Sequence, residues 1–358
     1  MITSLQISHV RGLEETSMSL GPSVNMLVGD NGAGKTSVLE AVSILSFGRS
    51  FVSSRVKSVI AFDQSDLTVF GKVKRADVEH ELAVQVCRDN ERKLRVDGLV
   101  ARGQGALSKI LPVLQITPHV LDLISGNPGD RRRFLDWGAF HWSDGNGQLF
   151  SSLRRALVQR NAVLRGGILS AQDLFPWEQQ IAQYGEVVND WRKKFVNDLQ
   201  PLFQSFLCEL GLGIELDVVY RSGWGENGLV EALAANRNRE IKARCSLVGP
   251  QRADLEITRG GVKASETLSR GELKVCNLAL ILAQLSAAGQ RGLDPVLCLD
   301  DLGAELDEGS LSRVWRVVVA SGVQVLATGV TVDRIGVNVF QLGHARVFHV
   351  KRGRVVSN

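Results

Sequence analysis

The sequence predicts an α/β protein whose sheet-forming part is interrupted by a mainly helical lobe. Strand patterns dominate residues 1–117 and 245–358, whereas helical spacing with many arginines dominates residues 118–244. A glycine-rich turn links a strand to a helix near the N-terminus, and an apolar strand near the C-terminus ends in two aspartates. We therefore predict one discontinuous domain, 1–117 plus 245–358, with residues 118–244 inserted as the lobe.

Composition supports an ordinary globular fold. The 358 residues are 44% hydrophobic and 22% charged, which excludes a disordered or fibrous chain and provides material for two lobes. The net charge of +4 is compatible with a polyanionic partner without requiring one. Neither a membrane-spanning run nor a signal peptide is visible, so we expect a cytoplasmic protein without membrane contact.

The cysteines give no sign of a metal site. All five are widely spaced, without a CxxC pair or a Cys/His cluster of zinc-site spacing. We interpret them as small buried hydrophobic residues.

The first part of the chain reads as strands around one helix. Residues 4–10 and Val24–Val28 have strand patterns, and a helix is expected from Lys35 to about Leu45. Residues 68–74, 81–88 and 93–100 alternate as strands do, and Asp97-Gly98 is a hairpin signal. We expect an antiparallel flap at 68–100.

The glycine-rich turn matches the P-loop pattern GxxxxGK[ST] and lies between a strand and a helix, as that motif requires. Its glycines let backbone N–H groups curl around phosphates, while the lysine neutralises phosphate charge and the threonine can bind Mg²⁺. The alternative is a glycine-rich turn that matches by chance. The predicted nucleotide-binding residues are Gly29, Asp30, Asn31, Gly32, Ala33, Gly34, Lys35 and Thr36.

Two acids follow a short apolar run at residues 295–299, which is typical of a strand buried in a parallel sheet. Asp300 is the expected Mg²⁺ partner together with Thr36. Asp301 follows it as the candidate base that polarises the attacking water. A bland alternative makes the two acids a helix N-cap and a first-turn acid.

A third motif lies between these two. Leu268, Ser269, Arg270, Gly271 and Glu272 resemble the LSGGQ signature of ABC ATPases, with arginine at the third position. Ser269 and Glu272 also form a capping box that would open an ordinary helix. A helix N-terminus is an anion site, and in ABC ATPases this one faces the γ-phosphate bound to the opposite subunit.

The order P-loop, insertion, signature and acid pair identifies an ABC-type P-loop ATPase head of the SMC-like class, and nearly the whole chain resembles the RecF family. Supporting stretches lie at residues 47–51, 130–136, 249–254 and 347–350, although Gln251 stands where that family usually has histidine. The resemblance implies ATP and Mg²⁺ as cofactors, an ATP-dependent homodimer, and an Asp307 in the D-loop that follows Asp301.

The resemblance also suggests further site residues. Gln115, near the end of a strand at residues 111–116, is the candidate Q-loop residue for Mg²⁺ and catalysis, or else a common strand-edge glutamine. Arg11 and Arg49 could reach phosphate, or could be solvated surface arginines. Thr328 ends the strand after which ABC transporters place a switch histidine, so a γ-phosphate sensor is missing. We expect slow hydrolysis.

Basic clusters in the lobe are the candidate DNA contacts, because such clusters neutralise backbone phosphates without reading sequence. The alternative is a salt-bridged helix surface, and Arg131, Arg132 and Arg133 could instead hold the lobe to the ATPase core. The candidates are Arg131, Arg132, Arg133, Arg154 and Arg155.

The resemblance therefore implies an ATP-gated homodimeric clamp on single-stranded, double-stranded or gapped DNA, in recombinational repair and replication restart. It also implies weak DNA-stimulated ATPase activity, RecR and RecO as partners in recombinase loading, and SOS inducibility. Two alternatives stay open. One is the nucleotide-binding subunit of an ABC transporter, and the other is an ATP-stabilised structural dimer that acts as a docking platform.

Overall fold

The chain forms two compact units in a computed structural model that describes residues 1–53, 55–89, 91–118, 122–143, 146–166, 171–335 and 345–357. The first unit contains Met1–Leu121, Phe206–Leu212 and Lys274–Asn358. The second contains Asp122–Ser205 and Gly213–Leu273. The lobe boundaries at 118 and 244 suggested by the sequence remain predictions.

Both units contain strands and helices. The strands are β1 (Ile2–Ser8), β2 (Thr16–Ser19), β3 (Val24–Val28), β4 (Asp66–Arg75), β5 (Val78–Cys87), β6 (Arg92–Val96), β7 (Leu99–Val100), β8 (Val113–Ile116), β9 (Asp217–Arg221), β10 (Asp254–Arg259), β11 (Val262–Lys263), β12 (Val296–Leu299), β13 (Val325–Gly329), β14 (Arg346–Lys351) and β15 (Arg354–Ser357). The helices are α1 (Lys35–Phe47), α2 (Gln104–Ile110), α3 (Pro128–Trp142), α4 (Gly147–Arg165), α5 (Ala171–Glu209), α6 (Leu229–Ala243), α7 (Ala264–Thr267), α8 (Arg270–Gln290), α9 (Leu302–Glu305), α10 (Glu308–Ala320) and α11 (Val332–Ile335).

A mainly parallel sheet in the first unit has the strand order β15-β14-β3-β13-β12-β8. Strands β14, β3, β13, β12 and β8 run parallel, and β15 pairs antiparallel with β14. Every residue of β3, β12 and β13 is buried, as expected for strands inside a parallel sheet. The predicted strands at Val24–Val28 and before Asp300 are confirmed. Because parallel strands end at the same edge, the loops after them converge there.

A second, antiparallel sheet in the first unit has the order β2-β1-β4-β5-β6-β7. It contains the predicted flap strands, and the hairpin signal is confirmed. Asp97 and Gly98 both have positive φ angles, 51° and 77°, which match a tight hairpin turn. The turn divides the pattern at residues 93–100 into β6 and β7.

The N-terminal strand and the helix after the P-loop are shifted slightly from the prediction. β1 ends at Ser8 rather than at residue 10, because His9 and Arg11 adopt left-handed backbone angles that leave the strand. α1 continues to Phe47, where Gly48 caps it in the left-handed conformation with φ of 58°. Nearly all of α1 is buried, so it lies in the core of the first unit.

The second unit combines helices with a small antiparallel sheet of order β11-β10-β9. The sequence analysis predicted no strand at residues 217–221, yet β9 forms there because its backbone pairs with β10 along five residues. Helices α4, α5 and α6 share an apolar cluster that includes Leu153, Ile181 and Leu233.

The cysteine prediction is correct for two positions. Cys276 and Cys298 are buried, and burial raises the pKa of the Cys298 thiol. It is wrong for Cys208, which is exposed, while Cys87 and Cys245 are half-buried.

Helix α8 is long and apolar enough to cross a membrane by length and composition alone. About two thirds of its most apolar stretch is buried, 67%, as in the core helix of a soluble protein. The helix is therefore weak evidence for a membrane span.

A buried ion-pair network joins three helices of the second unit. Arg160 on α4 has no exposed surface, and its guanidinium donates to Glu178 on α5 at 2.9 Å and to Glu240 on α6 at 2.6 Å. Arg237 donates to the second oxygen of Glu178 at 2.5 Å. Burial opposes the ionisation of Glu178, but the hydrogen bonds from Arg237 and Arg160 hold its pKa below the ordinary value. The helices are thus connected by charges that need one another.

We expect Arg160→Ala to lower the free energy of unfolding by about 3–5 kcal/mol, because the substitution leaves two buried carboxylates without their shared cation. Denaturant unfolding of the full chain, followed by tryptophan fluorescence, measures this loss. Of the six tryptophans, only Trp315 lies outside the second unit, so the signal reports mainly on that unit.

Arg155→Ala on the same helix is the matched control. Arg155 is exposed, so its removal should change the free energy of unfolding by no more than about 0.5 kcal/mol. Equal losses for the two variants would show that the buried network does not stabilise the unit.

Candidate functional site

A cleft of about 200 Å³ lies at the carboxyl edge of the parallel sheet. The loops after β3 and β12 contribute to it, as do the C-terminal part of β13 and the N-terminus of α1. The residues that line it are Asn31, Gly32, Gly34, Lys35, Thr36, Ser37, Asp300, Asp301 and Thr328. The structure therefore brings the predicted P-loop and both predicted acids together.

The shape of the P-loop depends on its glycines. A Cβ atom on Gly29 would lie 2.1 Å from the backbone oxygen of Val350, and one on Gly34 would lie 2.8 Å from the side chain of Leu13. Gly34 also has a φ of 112°, which side chains with a Cβ rarely adopt. The helix that follows begins at Lys35 without a side-chain cap. Its first N–H groups have no earlier helical carbonyl to bond, so they can receive an anion.

The ammonium group of Lys35 is held inside the loop. Its Nζ donates to the backbone oxygens of Gly29 at 2.7 Å and Asp30 at 2.9 Å, and the residue is only 7% exposed. Carbonyl oxygens only partly compensate a desolvated positive charge. A phosphate group in the cleft would supply the full counter-charge.

Asp300 is the centre of a hydrogen-bonded group of side chains. The hydroxyl of Thr36 donates to its Oδ1 at 2.9 Å, with Oδ2 at 3.2 Å. The hydroxyl of Thr328 donates to the same Oδ1 at 2.8 Å. A carboxylate and a hydroxyl this close, at the edge of the cleft, are oxygen ligands of the kind that Mg²⁺ prefers. These residues fit the predicted metal site.

Asp301 stands next to that group in a left-handed backbone conformation, with φ of 48°. Its N–H donates to the Thr328 hydroxyl at 2.9 Å, and the residue lines the cleft. Asp301 is formally the N-cap of α9, yet its side chain makes no capping hydrogen bond. The arrangement therefore favours the chemical interpretation of the two acids over the capping one.

Gln115 lies on β8, directly opposite Cys298 on β12. Its amide nitrogen is buried and has no hydrogen-bond partner among the residues that the structure describes. It is not among the residues that line the cleft. A Q-loop role for Gln115 remains a prediction.

The two predicted phosphate-contacting arginines differ. Arg11 forms a two-pronged ion pair with the buried Glu40 of α1, with both distances at 3.0 Å. The hydrogen bond to Glu40 raises the pKa of the Arg11 guanidinium. Arg49 has its guanidinium carbon 5.7 Å from the centre of the Phe47 ring. Neither geometry tests a phosphate contact, so both roles stay predictions.

The signature residues form the predicted capping box in the second unit. The N–H of Ser269 donates to Glu272 at 2.8 Å, and the N–H of Glu272 faces the Ser269 hydroxyl at 3.4 Å. The hydrogen bond from the Ser269 backbone lowers the pKa of Glu272. Leu268 is buried before the box, while Arg270 and Gly271 begin the exposed first turn of α8.

The predicted D-loop residue Asp307 caps α10 by accepting from the N–H of Ser310 at 2.9 Å. Hydrogen bonds from Ser310 lower its pKa. Lys274 donates to the carboxylate of Glu305 at 3.0 Å, which connects α8 to this segment within the first unit.

Among the basic candidates in the second unit, the arginines of α3 are engaged. Arg131 makes a two-pronged ion pair with Asp254, at 2.7 and 2.9 Å, and is mostly buried. Arg132 donates to the carbonyl of Ala253 at 3.2 Å, and Arg133 pairs with Asp130. These contacts all lie within the second unit, whereas attachment of the lobe to the ATPase core by this run stays a prediction. Arg154 and Arg155 on α4 are exposed.

Two partners of the site were not anticipated from the sequence. Thr328 contacts both acids, although in the sequence it stands out only because no switch histidine follows its strand. Glu40 forms an ion pair with Arg11, although nothing in the sequence distinguishes this glutamate from the other residues of its largely apolar helix. A hydroxyl at the end of a buried strand was the available signal for Thr328, since such an edge faces the P-loop.

Family comparison covers almost the whole chain. Residues 1–343 match the model of the RecF/RecN/SMC N terminal domain family. The DNA replication and repair protein RecF of Pseudomonas aeruginosa is 36% identical over 99% of this chain and 97% of its own length. Its counterpart in Pseudomonas syringae pv. tomato is also 36% identical, over 99% of this chain and 98% of its own.

Solved structures agree with the fold. A structure of the recombination mediator protein RecF with ATP, in the RecFOR pathway, has a TM-score of 0.89 at 23% identity, covering 100% of this chain and 97% of that one. An Smc head bound to the C-winged helix domain of ScpA has a TM-score of 0.60 at 14% identity, covering 100% and 97%. The predicted ABC-type, SMC-like fold is confirmed. Because it is 36% identical to RecF of Pseudomonas aeruginosa over 99% of its length, the chain belongs to the RecF family.

Proposed function

We propose that this chain is an ATP-dependent DNA-binding protein of recombinational repair and replication restart. The observation that carries the proposal is the cleft in which Lys35, Thr36 and Asp300 meet at the N-terminus of α1. The relatives that match over the full length are named DNA replication and repair proteins, and a structure of similar fold holds ATP.

ATP would bind with its phosphates at the P-loop. Lys35 would exchange its two carbonyl contacts for phosphate oxygens, and the first N–H groups of α1 would face the same anion. Thr36 and Asp300 would hold Mg²⁺, which when bound neutralises phosphate charge. Specific Mg²⁺ binding is part of this proposal.

Asp301 would act as the base for the attacking water, and Gln115 would assist catalysis as the Q-loop residue that contacts Mg²⁺. An aspartate reaches less far than the glutamate that ABC ATPases usually place here, and the chain has threonine where transporters have the switch histidine. Both features favour slow hydrolysis. Hydrolysis would then release a bound state rather than drive transport.

Dimerisation would complete the nucleotide site. Ser269 directly precedes α8, whose N-terminus is a ready anion site, and Asp307 follows the acid pair. We propose that these residues act across an ATP-dependent homodimer, with each signature facing the γ-phosphate of the partner. Two heads held in this way would form a clamp.

The clamp would bind DNA at single-strand gaps or junctions. Arg154 and Arg155 are the favoured contacts, because both are exposed on one helix whereas Arg131 is committed to Asp254. Contacts of this kind bind the phosphate backbone and depend strongly on salt. RecR and RecO as partners, SOS inducibility and a cytoplasmic location complete the proposal, and rest on the family alone.

Two variants should separate nucleotide binding from hydrolysis. We expect Lys35→Ala to abolish binding of a fluorescent ATP analogue, because it removes the charge that faces the phosphates. Asp301→Asn should bind the analogue normally but lower DNA-stimulated hydrolysis by about 10²-fold or more, since an amide cannot accept the proton. Equilibrium fluorescence and phosphate release measure the two effects.

Asp63→Asn, an exposed acid outside the cleft, is the matched control for the second variant and should leave both values unchanged. Full hydrolysis by Asp301→Asn would contradict its role as base. Transport-type ATPase activity without any response to DNA would favour the transporter alternative. ATP-dependent dimers without measurable turnover in the wild type would favour the docking platform.

The DNA surface can be tested by charge reversal on α4. Arg154→Glu/Arg155→Glu should weaken binding to gapped DNA and reduce the slope of log affinity against log salt by about 1 for each lost phosphate contact. Fluorescence anisotropy over a range of salt concentrations measures both quantities. Arg239→Glu/Lys242→Glu on α6 changes the net charge equally and is the control. The same loss in both double variants would argue against a contact specific to α4.

A further inference from the structure

One hydroxyl connects the two acids of the site. The Thr328 Oγ1 lies 2.8 Å from Oδ1 of Asp300 and 2.9 Å from the backbone nitrogen of Asp301. Thr328 is only 3% exposed, so water cannot readily replace either bond. The residue is the penultimate one of β13, which pairs with β12, and both acids directly follow β12.

The direction of these hydrogen bonds follows from their chemistry. A backbone N–H can only donate, so the Thr328 oxygen accepts from Asp301. A hydroxyl has one hydrogen to donate, and the Thr328 hydroxyl donates it in a hydrogen bond to the carboxylate of Asp300. The chain of bonds therefore runs from the Asp301 backbone through Thr328 to Asp300, and neither bond can reverse.

We propose that Thr328 is a positioning residue that aligns the metal-binding carboxylate and the candidate base at the same time. The proposal rests on the ATP and Mg²⁺ site described above and deepens it. Thr328 occupies the strand end where a switch histidine would contact phosphate, but it acts on the protein's own acids.

On Asp300, the Thr328 hydroxyl fixes the rotation of the carboxylate. Oδ1 accepts hydrogen bonds from the hydroxyls of Thr36 on α1 and Thr328 on β13, at 2.9 and 2.8 Å, so side chains from two different elements hold the carboxylate. Without the Thr328 hydroxyl, the carboxylate would keep the hydrogen bond from Thr36 and lose the second one to Oδ1. Mg²⁺ requires near-ideal octahedral coordination, so a carboxylate that rotates freely binds it more weakly than one held in a fixed orientation.

On Asp301, the same hydroxyl supports an unfavourable backbone conformation. Residues other than glycine seldom adopt a φ near 48°, although aspartate tolerates it better than most. The bond from the Asp301 N–H to Thr328 supplies a partner for that N–H in this conformation. Its loss would let the backbone relax and move the carboxylate of the candidate base.

The test compares Thr328→Val, which keeps the shape and removes the hydroxyl, with Thr328→Ser, which keeps the hydroxyl. A fluorescent ATP analogue is titrated without and with Mg²⁺. We expect Thr328→Val to bind the analogue normally without Mg²⁺. The increase in affinity that Mg²⁺ produces should be about 10–100-fold smaller than in the wild type, as expected for the loss of one hydrogen bond to a charged group. Thr328→Ser should retain most of that gain, and hydrolysis should fall in the valine variant only.

Thr16→Val is the matched control, because it removes a buried hydroxyl that donates to the backbone oxygen of Glu14 and touches neither acid. Thermal unfolding checks that each variant is folded. If Thr328→Val does not fold, Thr328→Cys replaces it, since a thiol is a similar size and a weak donor.

A Mg²⁺ response of the valine variant equal to that of the wild type would overturn the proposal. So would a serine variant as impaired as the valine one, because a side chain that keeps the hydroxyl would then not keep the response to Mg²⁺. Failure of the proposed function looks different: the wild type itself would bind no ATP, or would show no gain from Mg²⁺.

Discussion

The hydrogen bonds around the Asp300 carboxylate join three segments that are far apart in the sequence: the P-loop through Thr36, the end of β12, and the end of β13 through Thr328. They form only if β3, β13 and β12 are parallel neighbours whose carboxyl ends meet. The buried sheet, with α1 packed in the core of the same unit, is the scaffold that enforces this meeting. The buried Lys35 and Asp300 both line the cleft at this edge.

Much of this arrangement was accessible from the sequence because its signals are local. The P-loop lies within eight residues of sequence, and a fully apolar run before Asp300 predicts a strand buried in a parallel sheet. The capping box at Ser269 spans one helical turn and was predicted with its partners. The contacts between these motifs depend on the order of the strands in the sheet, which local sequence patterns do not specify. The contact between Thr328 and Asp300 therefore could not be predicted from the sequence.

The arginines of the second unit show the same limit. In the sequence, Arg160 and Arg155 look alike, as basic residues of one amphipathic helix. In the structure, Arg160 is fully buried between two carboxylates, while Arg155 is exposed. Arg131 also proved to be paired, with an aspartate 123 residues later. Burial of a charge depends on partners supplied by distant segments, so charge counts alone overstate the surface left for DNA.

The central claim is that ATP, held by these residues, joins two heads into a clamp on DNA. Sedimentation velocity of the wild type with labelled gapped DNA, with and without ATP and Mg²⁺, tests it most directly. The account predicts monomers without nucleotide, and a dimer that sediments together with the DNA when ATP and Mg²⁺ are present. DNA-bound monomers in both conditions, or ATP-dependent dimers that leave the DNA unbound, would contradict it.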